Sequence, residues 1–143
     1  MRISDLLRSK GDKVATAGPG MTVAELVDEL TRQNIGAMVV VDGERVVGIA
    51  SERDVVQRLG ECGAHLLNAP VSAIMTTAVV NCAPSDNVEL IAELMTERRV
   101  RHMPVMSDGR LSGIVSIGDV VKSRISELEN DREQLESYIS GGR

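Results

Sequence analysis

Aromatic residues and potential metal ligands are scarce in this sequence of 143 residues. It has no Trp and no Phe, Tyr138 is its one aromatic residue, and it contains only two Cys and two His. Because 43% of the residues are hydrophobic, the core must be aliphatic, and a bound base would find no aromatic ring to stack on. Cys62 and Cys82 do not form a closely spaced pair of cysteines, so we expect neither a zinc site nor a required disulfide.

An excess of acidic residues argues against several kinds of partner. The net charge is −5, from 16 basic and 21 acidic residues, which disfavours nucleic acid despite the basic cluster at residues 98–102. No apolar run approaches the roughly 20 residues of a membrane helix, and residues 1–10 do not resemble a leader segment. We therefore expect a soluble, cytoplasmic protein that binds neither nucleic acid nor a membrane.

Motifs typical of catalysis are also lacking. The sequence has no P-loop, no Gly-x-Gly-x-x-Gly and no serine nucleophile elbow, and His65 and His102 stand in unrelated contexts. We therefore expect a protein that is not an enzyme and that holds no metal and no catalytic cofactor.

An internal repeat is the strongest positive signal. Residues 22–56 align without a gap with residues 87–121, always 65 positions later. The most similar stretch, residues 48–56 against 113–121, keeps a glycine, a serine and an aspartate in both copies. Because a unit of about 65 residues would be marginally stable alone, the two copies should share a core.

Hydrophobic periodicity predicts the same elements in both copies, an amphipathic helix, a buried strand, an Asp-Gly turn, a second strand and a second helix. A short extended piece precedes the aligned prolines Pro19 and Pro84, so the unit is β-α-β-β-α. We predict an α/β (α+β) fold of two such units, residues 1–66 and 67–143. The predicted bounds are 23–34, 35–41, 46–51 and 54–61 in the first copy, then 88–98, 102–106, 111–116 and 118 onward.

Three further segments lie outside the aligned copies. Residues 60–70 mix helix breakers with apolar residues, which indicates a packed connection. Residues 3–7 faintly match residues 71–75 at an offset of 68, so we expect a short helix to introduce each unit. The last helix should continue through residues 122–139 with an apolar stripe at three-four spacing. That stripe favours contact with another subunit, and the alternative is packing against the helix's own domain.

Taken together, these motifs resemble a pair of cystathionine-β-synthase-type (CBS) domains, in the form of stand-alone bacterial two-CBS proteins. The resemblance rests on the strands at residues 35–40 and 101–105, and on Ser-x-x-Asp at residues 51–54 and 116–119. It implies a pseudo-twofold module with sheets facing each other across clefts. It also implies binding of an adenosine-containing ligand, AMP, ADP, ATP, S-adenosylmethionine or NAD, and pairing into flat homodimers.

The Ser-x-x-Asp motif itself suits a nucleotide. A strand ends at Ser51 or Ser116 and a helix follows at once, so free N–H groups and the helix dipole favour a phosphate there. An ionised Asp54 or Asp119 accepts hydrogen bonds only, as a ribose with two hydroxyls requires. The alternative is that each motif is a capping box that merely stabilises its helix.

Other residues could complete two unequal sites. A base would lie among aliphatic groups such as Ala37, Met38, Met103, Pro104 and Ile114. The cations Arg53, Arg101, His102 and Lys13 could meet phosphates, although charged residues at element ends are often simply solvated. Since Gly36-Ala37 replaces Arg101-His102 in the first copy, we expect Arg101 and His102 to make the second site, that of Asp119, the richer in phosphate contacts.

Two functions follow from these features. The first is a regulatory module that senses AMP, ADP, ATP or NAD between its CBS motifs and changes the shape of a dimer or its choice of an unidentified regulated protein. The alternative is a structural dimerisation or adaptor protein whose clefts do not function.

Overall fold

The computed structural model describes residues 1–141. It contains two successive copies of one unit, and each unit consists of a helix, two strands and a second helix. In the first unit, a lead-in helix and a short strand precede these elements. They are α1 Ile3–Lys10, β1 Thr16–Ala17, α2 Val23–Gln33, β2 Ala37–Asp42, β3 Arg45–Ser51 and α3 Glu52–Cys62. The second unit consists of α4 Val88–Arg98, β4 His102–Ser107, β5 Arg110–Ser116 and α5 Ile117–Gly141. Two 3-10 segments, Gly63–Asn68 and Val71–Ala73, join the units.

Equivalent residues start and end the helices α2 and α4. The Thr22 hydroxyl accepts a hydrogen bond from the Glu25 N–H at 3.2 Å, which caps α2. Both helices end at a left-handed residue, Asn34 with φ 53° and Arg99 with φ 55°. Asparagine tolerates this conformation better than most residues, whereas arginine rarely adopts it.

Each unit contributes a small sheet built on an antiparallel hairpin. In the first unit β1 pairs in parallel with β2, and β2 pairs antiparallel with β3. In the second unit β4 pairs antiparallel with β5, and a single parallel bridge from Cys82 to Val105 stands where β1 stands in the first. The register shifts between Val40 and Val41 and, equivalently, between Val105 and Met106, so even the irregularities repeat.

The lead-in segments cross between the units. Ile3, Leu6 and Leu7 of α1 belong to the hydrophobic core of the second unit, with Met103 and Val115. Conversely, Val71 and Ile74, which lead into the second unit, belong to the core of the first. The crossing holds the two units together through their cores, as the marginal size of each unit requires.

The crossing explains why the repeat keeps a glycine in β3 and β5. A Cβ on Gly113 would lie 2.8 Å from Leu7 Cδ2, and a Cβ on Gly48 would lie 2.7 Å from Met75 Sδ. Leu7 and Met75 are the last residues of the two faintly similar lead-in segments. The first of these segments is a helix as predicted, whereas the second forms only the 3-10 turn Val71–Ala73.

The predicted fold class is confirmed, with bounds that agree to within two residues for the helices and strands of the repeat. The connection between the units is packed, as predicted, since Leu66 is buried in it. The last helix extends well beyond its counterpart α3, and residues 129–141 are exposed along their whole length. This last part of α5 does not pack against its own domain. Among residues 1–141, no helix is both long and apolar enough to cross a membrane.

Candidate functional site

Two clefts open where the β3–α3 and β5–α5 junctions face the opposite unit. The first, here the Asp54 cleft, has Ile49, Ser51, Asp54, Val79, Val100 and Arg101 among its lining residues. The second, the Asp119 cleft, has Ile114, Ser116, Asp119, Val14, Ile35 and Gly36 at the equivalent positions. The two clefts measure about 160 Å³ and about 580 Å³ respectively, so the Asp54 cleft is the smaller.

Each cleft combines parts of both units. The Ser and Asp come from one unit, while the turn between the first helix and first strand of the other unit forms the facing wall. The segment that follows each crossed lead-in, residues 13–15 or 78–80, supplies a further wall. The shape of each cleft therefore depends on the relative position of the two units.

The Ser-x-x-Asp motif forms a capping interaction in both units. The Ser51 N–H donates to Asp54 Oδ2 at 2.8 Å and the Asp54 N–H donates to Ser51 Oγ at 3.2 Å, and the corresponding distances for Ser116 and Asp119 are 2.9 and 3.1 Å. The serine and aspartate of each motif therefore cap α3 and α5, as the helix-cap alternative predicts. Within residues 1–141, these bonds use only Oδ2 of each aspartate, so Oδ1 is left to accept from a ligand.

Lys10, at the end of α1, reaches into the Asp119 cleft. Its ammonium donates to Asp119 Oδ2 at 2.5 Å and to the Ile114 carbonyl at 2.7 Å. Burial acts to raise the pKa of Asp119, but the hydrogen bonds from Lys10 and Ser116 outweigh it, and the pKa lies below its ordinary value. Asp119 is therefore ionised at neutral pH, as an acceptor of ribose hydroxyls must be.

His102 lies between the clefts and lines both of them. Its imidazole packs over Gly36, where an added Cβ would lie 3.2 Å from the ring. Burial lowers the pKa of His102, and the carboxylates of Glu52 and Asp119 offset this only in part. The ring is neutral at pH 7 and can both donate and accept a hydrogen bond.

The cations are not distributed as the sequence interpretation proposed. Arg53 and Arg101 line the Asp54 cleft, and Lys13 lines the Asp119 cleft. The assignment of Arg101 to the Asp119 site is wrong, because the crossed arrangement brings the α4–β4 turn opposite Asp54. Among these four predicted residues, His102 alone lines both clefts. The Asp54 cleft is therefore richer in arginine because Arg53 and Arg101 both line it.

The expected aliphatic residues fall into two groups. Ala37 and Ile114 line the Asp119 cleft. Met38 and Met103 follow cleft residues along their strands, and since successive side chains point to opposite faces, both lie in the cores and line neither cleft. Pro104 lies in a separate depression near Arg45 and Val79.

Sequence reasoning missed several lining residues. Asn34 and Arg99, which end α2 and α4, occupy equivalent positions in the two clefts, and the repeat alignment already pairs them. Lys10 could not be found in this way, because it meets Asp119 across 109 residues and has no charged counterpart in the other lead-in.

The donor groups at both sites suit an anionic organic ligand better than a metal. Nearby cations attract anions, and in the described residues no group of three His, Cys, Asp or Glu side chains could hold a metal ion. The first N–H groups of α3 and α5 are already in use, since Glu52 and Ile117 donate to the Gly36 and Arg101 carbonyls and Asp54 and Asp119 donate to the serine hydroxyls. A tandem α/β repeat whose two units face each other across two clefts defines the class of this protein.

The chain belongs to the CBS domain family, whose model matches residues 3–61 and 71–126. It is 34% identical over 149 aligned positions to the mitochondrial CBS domain-containing protein CBSX3 of Arabidopsis thaliana, covering 98% of this chain and 72% of that protein. It is 31% identical to the CBS domain-containing protein YhcV of Bacillus subtilis, covering 80% of this chain and 81% of that protein.

Solved structures of CBS proteins share the fold. The CBS-domain containing protein ATU1752 from Agrobacterium tumefaciens superposes with a TM-score of 0.85 at 44% identity, covering 87% of this chain and 99% of that one. The CBS domain pair of protein MJ0100, crystallised in complex with 5′-methylthioadenosine and S-adenosyl-L-methionine, superposes with a TM-score of 0.78 at 23% identity, covering 89% and 98%. At that identity the second likeness shows the fold alone.

Proposed function

We propose that this protein is a non-catalytic regulatory module that binds an adenosine-containing nucleotide, AMP, ADP, ATP or NAD, in both clefts. The observation that carries the proposal is the repeated pair of a serine and an ionisable aspartate at a strand-to-helix junction, each facing a wall from the opposite unit. The adenosine ligands named with the MJ0100 domain pair support the same ligand class.

Each part of a nucleotide has a counterpart in the clefts. A phosphate meets the N-terminus of α3 or α5, where the helix dipole favours an anion. The ribose hydroxyls donate to Oδ1 of Asp54 or Asp119, the oxygen that the capping bonds leave available. The base lies against aliphatic side chains, such as Ile49 and Val100 in the first cleft and Ile35 and Ile114 in the second.

Binding has a mechanical consequence because each cleft spans the two units. Ligand sites commonly measure about 300–1,000 Å³, and the Asp54 cleft at about 160 Å³ is smaller than that range. A nucleotide entering it must therefore move the wall formed by the α4–β4 turn outward. That displacement changes the relative position of the units and is the signal that the module transmits.

We place the transmitting surface on the exposed faces of α3 and α5. Val56 and Val121 occupy equivalent positions on these helices and are 70% and 50% exposed, and Leu59 and Ile125 extend the two apolar faces. Burying such side chains is favourable by roughly 1.5–3 kcal/mol each. We propose that a second copy of the chain covers them to form a homodimer, whose change of shape is detected by a regulated protein still to be identified.

Replacing both aspartates by asparagine tests ligand binding. In Asp54→Asn/Asp119→Asn, the amide oxygen can still accept the capping bond, but the amide nitrogen presents donors where the ribose hydroxyls donate. Since charge-assisted hydrogen bonds are each worth about 1.5–3 kcal/mol, we expect binding of AMP, ATP or NAD to weaken at least tenfold at each site. Isothermal titration calorimetry measures the loss, with Asp28→Asn, an exposed position outside both clefts, as the matched control.

A structural adaptor is the second candidate, and the long exposed part of α5 favours it. Leu128, Leu135 and Ile139 are 58–61% exposed on a helix that its own domain does not cover. An adaptor would show no heat of binding with any adenosine ligand at millimolar concentration. It would also retain its oligomeric state in the double asparagine variant, whereas the dimer of a sensor would respond to nucleotide only in the wild type.

A further inference from the structure

The two clefts differ in the cationic side chains that line them. Arg53, Arg99 and Arg101 all line the Asp54 cleft. Their equivalents in the other unit, 65 positions away, are Gly118, Asn34 and Gly36, none of which carries a charge. The three arginines are therefore a property of one cleft only.

Within the part of the chain that the structure describes, these arginines have no acidic partner. Within residues 1–141, none of the three side chains takes part in an ion pair or a side-chain hydrogen bond, and all three residues are exposed. Glu52 also lines the cleft, but its carboxylate lies beside Gly36 at the His102 boundary. Arginine presents a planar fork of donors that matches phosphate oxygens, so such side chains at the mouth of a cleft suit more than one phosphate.

The lysines of the Asp119 cleft are arranged differently. Lys10 is bonded to Asp119 and to the Ile114 carbonyl inside the cleft, so its charge is already compensated. Among the described lining residues of this cleft, the remaining lysine is Lys13, which is exposed and has no acidic partner. A single mobile ammonium distinguishes poorly between one phosphate and three.

We infer that the affinity of the Asp54 cleft depends on the number of phosphates on the nucleotide, whereas the affinity of the Asp119 cleft does not. This inference rests on the proposed function and deepens it, since it assigns adenosine di- and triphosphates to one cleft. Once the α4–β4 wall has moved outward, the Asp54 cleft holds adenosine, and the additional phosphates extend to the exposed arginines at its rim. The Asp119 cleft accepts AMP and ATP with similar affinity.

Single aspartate variants separate the two clefts. In Asp119→Asn the Asp54 cleft is the intact site, and we expect ATP to bind at least about tenfold more tightly than AMP, the equivalent of one charge-assisted contact. In Asp54→Asn the Asp119 cleft is the intact site, and the two affinities should differ by less than about threefold. Titration calorimetry with magnesium-free AMP and ATP gives both ratios.

Arginine substitutions then assign the preference to named side chains. Adding Arg99→Asn and Arg101→Gln to Asp119→Asn should remove the ATP preference and leave AMP binding within about threefold. Asparagine suits the left-handed conformation of position 99, as Asn34 shows at the equivalent site. The control is Arg98→Gln in the same Asp119→Asn background, which removes one of the two charges from the residue next to Arg99 at a position that lines neither cleft.

The outcomes distinguish a failure of this inference from a failure of the proposed function. Equal ATP-to-AMP ratios in the two single variants, or a ratio unchanged by the arginine substitutions, would overturn the phosphate-reading role while leaving nucleotide binding in place. A ratio that falls equally in Arg98→Gln would also overturn it, because overall charge would then explain the preference. Absence of any adenylate binding in the wild type would instead remove the proposed function and this inference together.

Discussion

Leu7 of the first lead-in helix packs directly on Gly113 of β5, where an added Cβ would lie 2.8 Å from Leu7 Cδ2. Met75 packs on Gly48 of β3 in the equivalent way. Through these two contacts each lead-in segment packs against the opposite unit, and this packing positions the walls of both clefts. The glycines that the repeat preserves are thus structural, whereas the serines and aspartates that accompany them cap α3 and α5 and line the clefts.

Substitution of either glycine tests this close approach. In Gly113→Ala the new methyl group collides with the buried Leu7, and overpacking of this kind costs about 1–3 kcal/mol of unfolding free energy. We expect Gly48→Ala to behave similarly against Met75. Urea unfolding measures both. In the control Gly60→Ala, nothing lies within 4 Å of the added Cβ and the residue is within α3, so stability should rise by about 0.5–1 kcal/mol. Unchanged stability in both strand variants would contradict the packing account.

Removal of the Lys10 ammonium should raise the pKa of Asp119. Burial already favours the neutral acid, and without Lys10 only the bonds from Ser116 oppose it. The lowered pKa means that the stabilising contribution of ionised Asp119 is present above its ordinary value of 3.8 and is lost as the pH falls through the folded-state pKa. Carbon-detected NMR titration of the Asp119 carboxyl should show the increase in Lys10→Met but not in Lys122→Met, an exposed lysine of the same charge.

His102 should make the fold sensitive to mild acid. Burial lowers its pKa, reinforced by Lys10 and Arg101 and opposed by Glu52 and Asp119. A group with a lowered pKa binds protons more readily when unfolded, so stability should decline as the pH falls below the ordinary histidine value of 6.5. Urea unfolding at several pH values should show a smaller decline in His102→Gln. The exposed His65→Gln serves as control, and an identical slope in wild type and His102→Gln would be evidence against the buried ring.

The two cysteines should differ in reactivity. Burial, assisted by Asp86, raises the pKa of Cys82 to about 12, so its thiolate is scarce at neutral pH, whereas Cys62 is exposed. A thiol reagent such as DTNB should modify one cysteine per folded chain and the second only after unfolding. Cys62→Ala should abolish the rapid reaction and Cys82→Ala should preserve it. Rapid modification of Cys82 in the folded protein would contradict its burial.

Local patterns in the sequence were sufficient to predict the elements of the repeat. Capping residues, apolar periodicity and Asp-Gly turns act over a few positions, so the helix Val88–Arg98 could be predicted with its observed bounds. The serines and aspartates could be assigned to strand-to-helix junctions for the same reason.

The composition of each cleft depends on which unit faces which, and no local pattern contains that information. The crossing of the lead-in segments places Arg101 opposite Asp54 and brings Lys10 to Asp119. The sequence pattern had instead grouped Arg101 with the aspartate of its own unit. Likewise, strand alternation buries Met38 and Met103 although Ala37 and His102 beside them face the clefts.

The stoichiometry of nucleotide binding tests the central claim most directly. Equilibrium dialysis with radiolabelled ATP at saturating concentration should give two molecules per wild-type chain. Titrated over the same ATP concentrations, Asp54→Asn and Asp119→Asn should each keep one site at the wild-type affinity and show the other weakened at least tenfold, and the double variant should keep neither site at that affinity. Wild-type affinity at both sites of the double variant, or no ATP bound to the wild type, would contradict the account of two clefts organised by Asp54 and Asp119.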